Sequence, residues 1–551
     1  MKSTKKKKIS RKERELKSNA ERSKRVTLDN EIDMRILLLL YLHKCLTAEQ
    51  IHRLLPGPII DPKDAQLAKL DIESTEPLRD IKLNSLINKL RHMKNRGVIK
   101  RISKLDALGH EIFKIHHFVI TDLGISILLE FFNIPKEKGS DEKFHFSNFK
   151  MNSITQKDHH FSIQDWISRL TMELSRIGIH LPGCEWRRYF NGDPNEGGNA
   201  AYRPDWMFFK PNDYYDYLSG YGTDLHKQMV NPFIYPLKTR DSYLKMLSEN
   251  SDFDIDWKSS YQPFIYFEMD MGSMDHKLLS TKFANIRENV VSTVDVLVFV
   301  SNQNRLDVEE GESSSRARNV RKTLLKQFKR DSTLDKLHVI HGNQMETIQA
   351  VKDYICNSYS FLNGLDIADI NSFQVLVESH NKSTGSNAKI YPTHSSEAIQ
   401  IFPYIKQFDG GLPDYVIIQD RFLDNDRSGK PIGKTVDFIY VTRKYWFNPQ
   451  AKAILYQEWV SKGKWNNHEV RVVLMYPTKF EMENDVFTQE NVTYEVEGTE
   501  ENRGLVCSHL RFSNFETIRE AGSLDNLYKR VKTKNSKGIQ WEEVKLYERS
   551  Y

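Results

Sequence analysis

The sequence has few cysteines and no long apolar run, and both absences narrow the class of protein. Its 551 residues include four cysteines, which lie far apart at Cys45, Cys184, Cys356 and Cys507. No two of them are close enough to indicate a zinc site or a dense disulfide framework, so a reducing cytoplasm fits. The longest apolar run near the start, residues 36–42, is too short to span a bilayer and precedes no cleavage site. We therefore expect a cytoplasmic protein with no membrane partner.

Charge is unevenly distributed along the chain. The formal net charge is +6, but residues 1–26 alone carry twelve Lys or Arg against three Glu, a net of +9. This composition predicts a disordered basic arm that attracts polyanions, and a merely solubilising tail is the alternative. The chain as a whole has 39% hydrophobic and 11% aromatic residues, which is typical of globular domains. We expect an α/β multidomain protein.

Residues 27–135 predict three helices followed by a β-hairpin, which is the order of a winged helix-turn-helix. The predicted helices cover 29–42, 47–55 and 83–95, and the strands cover 98–103 and 112–120. Thr47 and Gln50 have the spacing of a capping box at the start of the second helix. The third helix is expected to point a set of apolar residues inward, namely Leu83, Leu86, Ile87, Leu90 and Met93.

The third helix and the first strand after it form a basic segment. Between Lys82 and Lys104 there are eight Lys or Arg and no Asp or Glu. A helix with so basic a polar face can lie in the major groove of DNA while the hairpin meets phosphates. A solvated face or a protein-binding winged helix is the alternative. The expected DNA-binding residues are Asn84, Ser85, Asn88 and Lys89 as base readers, Arg91, Arg96 and Lys100 at phosphates, and Lys94 and Arg101 beside them.

Acidic residues stand at the ends of two apolar segments farther along the chain. Asp205 lies near the start of segment 203–209, and Glu268 and Asp270 end segment 264–270. A buried carboxylate is costly unless a cation accompanies it. A divalent metal is the natural occupant, and an oxygen-rich site with few carboxylates suits Mg²⁺. The sequence therefore predicts a magnesium site at Asp205, Glu268 and Asp270.

The order of predicted elements resembles the core of the PD-(D/E)XK nuclease superfamily, which runs helix, three strands, helix, strand. The resemblance extends over about a hundred residues, within a restriction-endonuclease-like α/β domain at 150–360 that carries an insertion at about 210–262. It implies catalytic acids at Asp205 and Glu268 and a lysine two residues after the last acid. Asp270 stands at that place, so Lys282 on the next helix is the expected catalytic replacement. A lysine that only lies along an apolar stripe is the alternative.

Joined to the winged helix, this core makes the chain resemble the bacterial replication-relaxation family of plasmid and mobile-element proteins. The matching segments are 120–124, 159–161, 185–187, 203–205 and 268–272, together with Lys282. The resemblance implies action in plasmid replication and DNA relaxation, with double-stranded DNA and a relaxase or replication initiator as partners. A non-catalytic replication or transcription regulator and an active restriction-type or transposition endonuclease remain as alternatives.

Other motifs predict less. Residues 429–435 imitate a phosphate-binding loop, but a strand follows where a helix is required, so we interpret them as a hairpin turn. The adjacent pairs His116-His117 and His159-His160 lack the spacing of relaxase metal ligands and are expected to be ordinary polar residues at domain edges.

Residues 361–551 repeat the order of the nuclease-like core from a second Pro-Asp strand at 412–418. We interpret this α/β domain either as a degenerate second copy of the nuclease-like core or as a chance pattern. Pairing of the two lobes, or a homodimer, is consistent with the first interpretation.

Overall fold

The protein is mixed α/β, as the sequence predicts. The structure, a computed structural model, describes residues 31–55, 81–105, 111–131, 157–175, 183–184, 204–209, 263–272, 274–289, 296–301, 315–328, 334, 337–358, 370–392, 395–407, 413–421, 430–485, 487–488, 492–496, 499–503, 510–522, 524, 527–533 and 540–544. The chain divides into two compact units, Met1–Met269 and Asp270–Tyr551. The predicted basic arm 1–26 and the hairpin tip 106–110 lie outside the described residues.

The first unit begins with a helical head that carries a small sheet. Its elements are α1 (Glu31–His43), β1 (Leu46–Thr47), α2 (Ala48–Leu54), α3 (Leu83–Asn95), β2 (Ile99–Leu105), β3 (Glu111–Ile120) and α4 (Asp122–Phe131). The three strands lie in the order β1-β3-β2, and both pairs are antiparallel. The helix α4 has no counterpart in the elements predicted from the sequence.

Local signals in the sequence set the helix ends of the head. The predicted capping box is present, since the Gln50 N–H donates to Thr47 Oγ1 at 3.1 Å and the Thr47 N–H donates to Gln50 Oε1 at 2.9 Å. Gly97 follows α3 with a φ of +79°, a conformation that favours glycine. One apolar core joins the helices to the strands, and at its centre lie Leu40, Ile51, Leu86, Leu90 and Val98.

One predicted core position of α3 is wrong. Leu86, Leu90 and Met93 are buried, but Ile87 is 38% exposed. Residues three and four apart share a helix face, so Ile87 shares the face of the exposed Asn84 and Arg91 instead of the buried one. The apolar side of α3 is therefore narrower than the sequence pattern suggests.

The rest of the first unit contains a helix and an antiparallel sheet. These elements are α5 (Lys157–Ser175), β4 (Gly183–Cys184), β5 (Trp206–Phe209) and β6 (Pro263–Asp270). Strand β5 pairs with β4 on one side and with β6 on the other. The apolar residues of α5 that recur at helical spacing are buried, among them Trp166 and Leu170. Glu185, Arg203 and most of the predicted insertion lie outside the described residues.

The second unit opens with alternating helices and strands. They are α6 (His276–Asn289), β7 (Val296–Ser301), α7 (Ser315–Phe328), β8 (His338–Asn343) and α8 (Glu346–Ser358). Strands β7 and β8 are parallel neighbours. All six residues of β7 are buried, which fits the continuous apolar run typical of a parallel strand covered on both faces.

The remainder of the second unit is built on a nine-stranded sheet. The elements are α9 (Ile370–Thr384), β9 (Lys389–Pro392), α10 (Ser396–Ile401), β10 (Tyr415–Arg421), β11 (Gly433–Val441), α11 (Phe447–Lys462), β12 (Glu469–Tyr476), α12 (Lys479–Asn484), β13 (Val492–Val496), β14 (Thr499–Arg503), β15 (Leu510–Asn514), α13 (Phe515–Ala521), β16 (Leu527–Thr533) and β17 (Gln540–Val544). The strand order is β14-β13-β16-β15-β12-β11-β10-β9, with β17 paired to β16. Strands β10 and β11 form an antiparallel hairpin in which Arg421 faces Gly433. Residues 433–435, which were predicted to belong to the turn, are therefore the first residues of β11, and residue 429 lies outside the described residues.

Candidate functional site

Two of the predicted acids lie opposite each other on neighbouring strands. Trp206 of β5 pairs with Phe267 of β6, and the Asp205 N–H donates to the Phe267 carbonyl at 3.1 Å. One further step of this antiparallel register sets Asp205 opposite Glu268. Side chains at opposite positions lie on the same face, with Cβ atoms roughly 4.5–5.5 Å apart. The fold therefore brings together two carboxylates that are distant in sequence.

The backbone fixes the carboxylate of Asp205. Pro204, which is buried, precedes it, and Oδ2 of Asp205 accepts the Met269 N–H at 2.9 Å. The side chain of Asp205 is 19% exposed, whereas Glu268 is fully buried. A buried carboxylate beside another acid needs compensating positive charge. The pair is thus a candidate cation site with one acid at the surface and the other in the interior.

His159 lies against the Asp205 carboxylate of this pair. Its Nε2 lies 3.2 Å from Asp205 Oδ2 and 3.0 Å from the Met269 carbonyl oxygen. Burial by itself would lower the pKa of His159, but the hydrogen bond and charge of Asp205, the Met269 carbonyl and the charge of Glu268 outweigh it and raise the pKa. His159 was expected from the sequence to be an ordinary polar residue, and its one signal was the resemblance of segment 159–161 to the replication-relaxation pattern.

Asp270 has a different partner. Both of its carboxylate oxygens accept hydrogen bonds from Arg316, from Nε at 2.7 Å and from Nη2 at 2.8 Å. Nη1 of Arg316 also donates to the Met274 carbonyl at 2.6 Å. The Asp270 side chain is fully buried, and that of Arg316 is 23% exposed. A metal ion at Asp270 would have to compete with this bidentate pair. Nothing in the sequence near Asp270 pointed to Arg316.

Lys282 lies where the helix pattern placed it. Leu279, Phe283 and Ile286 of α6 are all fully buried, and Lys282 beside them is half-buried. This position is compatible both with the predicted catalytic role and with a lysine that covers an apolar stripe. Among the described residues, no group of three or more His, Cys, Asp or Glu side chains has the arrangement of a metal site.

Three consecutive residues near the start of α5 contact three different parts of the first unit. His159 meets Asp205, Nε2 of His160 lies 3.1 Å from the His43 carbonyl oxygen at the end of α1, and the Phe161 ring stacks on His117 of β3 with centroids 4.1 Å apart.

Further contacts join the same helix and strand to the head. The His43 ring stacks on Trp206, with centroids 4.8 Å apart, and its Nδ1 lies within hydrogen-bond distance of Gln164 Oε1. Arg53 of α2 donates to Asp165 Oδ1 at 2.9 Å. The head is therefore packed directly against the helix and strand that carry His159 and Asp205.

Most residues predicted to bind DNA are exposed on the head. The exposed ones are Asn84, Ser85, Asn88, Arg91, Lys94, Arg96, Lys100 and Arg101. Lys89 differs, because its Nζ lies 2.7 Å from Asp33 Oδ1 and its side chain is only 23% exposed. Nη1 of Arg91 donates to Asn88 Oδ1 at 3.3 Å. The basic surface is present, and one member of the predicted set is engaged within the protein.

Comparison of the chain with known protein families, with curated proteins and with solved structures finds no match. In the part of the chain that the structure describes, no helix combines the length and apolarity needed to cross a membrane.

Proposed function

We propose that this protein binds double-stranded DNA through a winged helix in residues 27–135 and acts on it with Mg²⁺ held by Asp205 and Glu268. The observation that carries the proposal is the placement of Asp205, directly before β5, opposite Glu268 of β6, with His159 against Asp205. Helix, strand, strand, strand, helix and strand follow one another from α5 to β7, which is the order of the PD-(D/E)XK superfamily.

In this proposal the residues around the acid pair have separate roles. The Met269 N–H and His159 orient the Asp205 carboxylate, and the buried Glu268 faces the same side of the sheet. Mg²⁺ bound to the pair would polarise the scissile phosphate and lower the pKa of the attacking water. Asp270 and Lys282 keep the roles that the resemblance implies, with Arg316 as a competitor for Asp270.

The basic face of the head supports the DNA partner. Exposed Arg and Lys side chains of α3 and β2 lie beside exposed Asn84 and Asn88, and asparagine can read adenine in the major groove. The direct contacts of α5 with α1, α2 and β3 join this face to the acid pair within one unit. The resemblance to the replication-relaxation family, drawn from the sequence, would make plasmid DNA the substrate and a relaxase or replication initiator the partner.

Cleavage of supercoiled plasmid tests the enzymatic part. With Mg²⁺ the wild type should convert supercoiled DNA to a relaxed form, and Asp205→Asn and Glu268→Gln should abolish that conversion while keeping the fold. Glu288→Gln is the control, since Glu288 is exposed on α6 and its removal should leave the rate unchanged. Equal activity in the wild type and Asp205→Asn would refute the proposal.

A second candidate function is a DNA-binding replication factor or regulator without turnover. The bidentate Arg316–Asp270 pair favours it, because a guanidinium already neutralises one of the three predicted metal ligands. In that case duplex binding would be retained in Asp205→Asn and no relaxed product would form with any divalent metal. Rapid appearance of linear DNA would instead support a restriction-type or transposition endonuclease.

A further inference from the structure

The order of elements around the acid pair occurs a second time in the chain. The first set is α5, β4, β5, β6, α6 and β7, and the second is α9, β9, β10, β11, α11 and β12, with α10 inserted after β9. In both sets the three successive strands are antiparallel neighbours. Because a chance α/β pattern could produce the same order, the order alone does not establish two copies of one fold. The hydrogen bonds at the starts of the strands provide the further evidence.

The two Pro-Asp strands share the same pair of hydrogen bonds. The Asp414 N–H donates to the Ile439 carbonyl at 2.9 Å, as the Asp205 N–H does to Phe267. Oδ2 of Asp414 accepts the Val441 N–H at 2.8 Å, as that of Asp205 accepts the Met269 N–H. Each aspartate thus binds a main-chain N–H two residues beyond its backbone partner on the neighbouring strand. Shared geometry at this level indicates two copies of one fold.

The copies differ at the positions that face these aspartates. Tyr415 pairs with Ile439, so one further step of the register sets Asp414 opposite Tyr440, where the first copy has Glu268. Two residues farther on, Thr442 corresponds to Asp270. Tyr440 and Thr442 are both buried. Neither a tyrosine nor a threonine carries a carboxylate, so the second copy lacks an acidic pair for a divalent cation at these positions.

A lysine provides the charge near the second aspartate. Desolvation raises the pKa of Asp414 even though part of its side chain is exposed, and the hydrogen bond from the Val441 N–H and then the positive charge of Lys452 on α11 oppose that rise without cancelling it. Asp414 is thus a single carboxylate, and the cation acting on it is a lysine of the protein.

We propose that the chain is a tandem of two copies of one nuclease-like fold, with a single cation-binding centre at Asp205 and Glu268, and that its product from duplex DNA is a nick. This inference rests on the proposed function. Hydrolysis adds water across one P–O bond, which leaves a phosphate on one end and a hydroxyl on the other. Each strand of a duplex needs its own such event, so one centre per chain cuts one strand per encounter.

Asp205→Asn and Asp414→Asn form a matched pair that tests the proposal. Both asparagines can still accept the cross-strand N–H, so both folds should persist. Titration of the full chain with Mn²⁺ should show an affinity unchanged in Asp414→Asn. In Asp205→Asn it should fall by at least about 10- to 100-fold, the loss typical of changing a residue that only orients a metal ligand. Open-circular plasmid should accumulate before any linear form, in the wild type and in Asp414→Asn alike.

The outcomes separate this inference from the proposed function. Loss of Mn²⁺ binding in Asp414→Asn, or linear DNA without an open-circular precursor at limiting protein, would overturn the single centre while leaving cleavage established. Mn²⁺ binding that depends on Asp205 alone, without any cleavage, would support the single centre and refute the nuclease. A wild type that binds no Mn²⁺ would contradict both.

A gain-of-function variant tests the equivalence of the two copies directly. Tyr440→Glu introduces an acid at the place that Glu268 holds in the first copy. If the two copies are equivalent, this variant binds additional Mn²⁺, and the additional binding is lost in the double variant with Asp414→Asn. A Tyr440→Glu protein with wild-type circular dichroism and no added Mn²⁺ binding would overturn the equivalence.

Discussion

Arg316 binds both carboxylate oxygens of Asp270, at 2.7 Å and 2.8 Å, across 46 residues of sequence. Breaking a buried pair leaves one charge uncompensated, which costs about 3–5 kcal/mol. Because the Asp270 side chain is fully buried, we expect Arg316→Ala to lower the free energy of unfolding by that amount in urea denaturation. The control is Lys479→Ala, since its pair with Glu483 is exposed and should contribute about 0–1 kcal/mol. Equal effects of both variants would show that the pair is not structural.

The basic residues of α3 should separate into two classes. Arg91 is exposed, so Arg91→Ala should weaken duplex binding for every sequence and reduce the slope of log affinity against log salt by about 0.9. Lys89 binds Asp33, so Lys89→Ala should lower the melting temperature and leave the salt slope unchanged. Fluorescence anisotropy with one labelled duplex at several salt concentrations measures both. A slope change in Lys89→Ala equal to that in Arg91→Ala would place Lys89 at the DNA.

Acid should destabilise the second unit through His341. This residue is fully buried, with Nε2 3.2 Å from Ser301 Oγ, and burial together with the charges of Arg321 and Arg316 holds its pKa well below the ordinary value. Below about pH 6.5, His341 takes up a proton in the unfolded chain but stays neutral in the folded chain. The free energy of unfolding therefore falls as the pH falls, by up to about 1.4 kcal/mol per pH unit.

The variant His341→Gln isolates this contribution. Its free energy of unfolding should lose less than that of the wild type between pH 7.5 and pH 5.5, whatever its absolute stability. His92→Gln serves as the control, because His92 is exposed on α3. Parallel pH profiles for the wild type and His341→Gln would contradict the assigned cause.

Gly124 should tolerate no larger residue. A Cβ at this position would lie 2.3 Å from the Val98 carbonyl oxygen and 2.8 Å from the Ile120 side chain, so α4 would have to move away from the hairpin. We expect Gly124→Ala to destabilise the head by about 1–3 kcal/mol in thermal or urea unfolding. Ser126→Ala on the same helix should change stability little, since its hydroxyl donates only to the exposed Asp122 carbonyl.

Local patterns predicted the local structure well. The spacing of Leu86, Leu90 and Met93 together with Gly97 gave the observed bounds of α3, and the Thr47-Gln50 pair gave the start of α2. These signals succeed because caps and helical periodicity depend on residues within one or two turns. The strands at Asp205 and Glu268 were also placed, since apolar segments bounded by Pro and Asp are short-range features.

Long-range partners could not be predicted in the same way. His159 and Arg316 lie 46 residues from the acids they contact, and no periodicity links them to those acids. Ile87 was placed inward because apolar residues usually are, but the face of a helix that packs is decided by its neighbours. The sequence indicated a second Pro-Asp strand and a repeated order of elements, but the hydrogen bonds shared by Asp205 and Asp414 depend on strand register and could not be predicted from it.

The run His159-His160-Phe161 limits how this protein can be divided experimentally. A fragment lacking residues 31–131 would uncover Trp206, which is 1% exposed, and would leave the Phe161 ring and the Asp165 carboxylate without the partners described above. Asp205 precedes Trp206 directly, so the strand that bears the candidate acid would lose its cover on that side. Inactivity of such a truncated protein would therefore report damage to the strand, and point variants in the full chain are the sounder route to its chemistry.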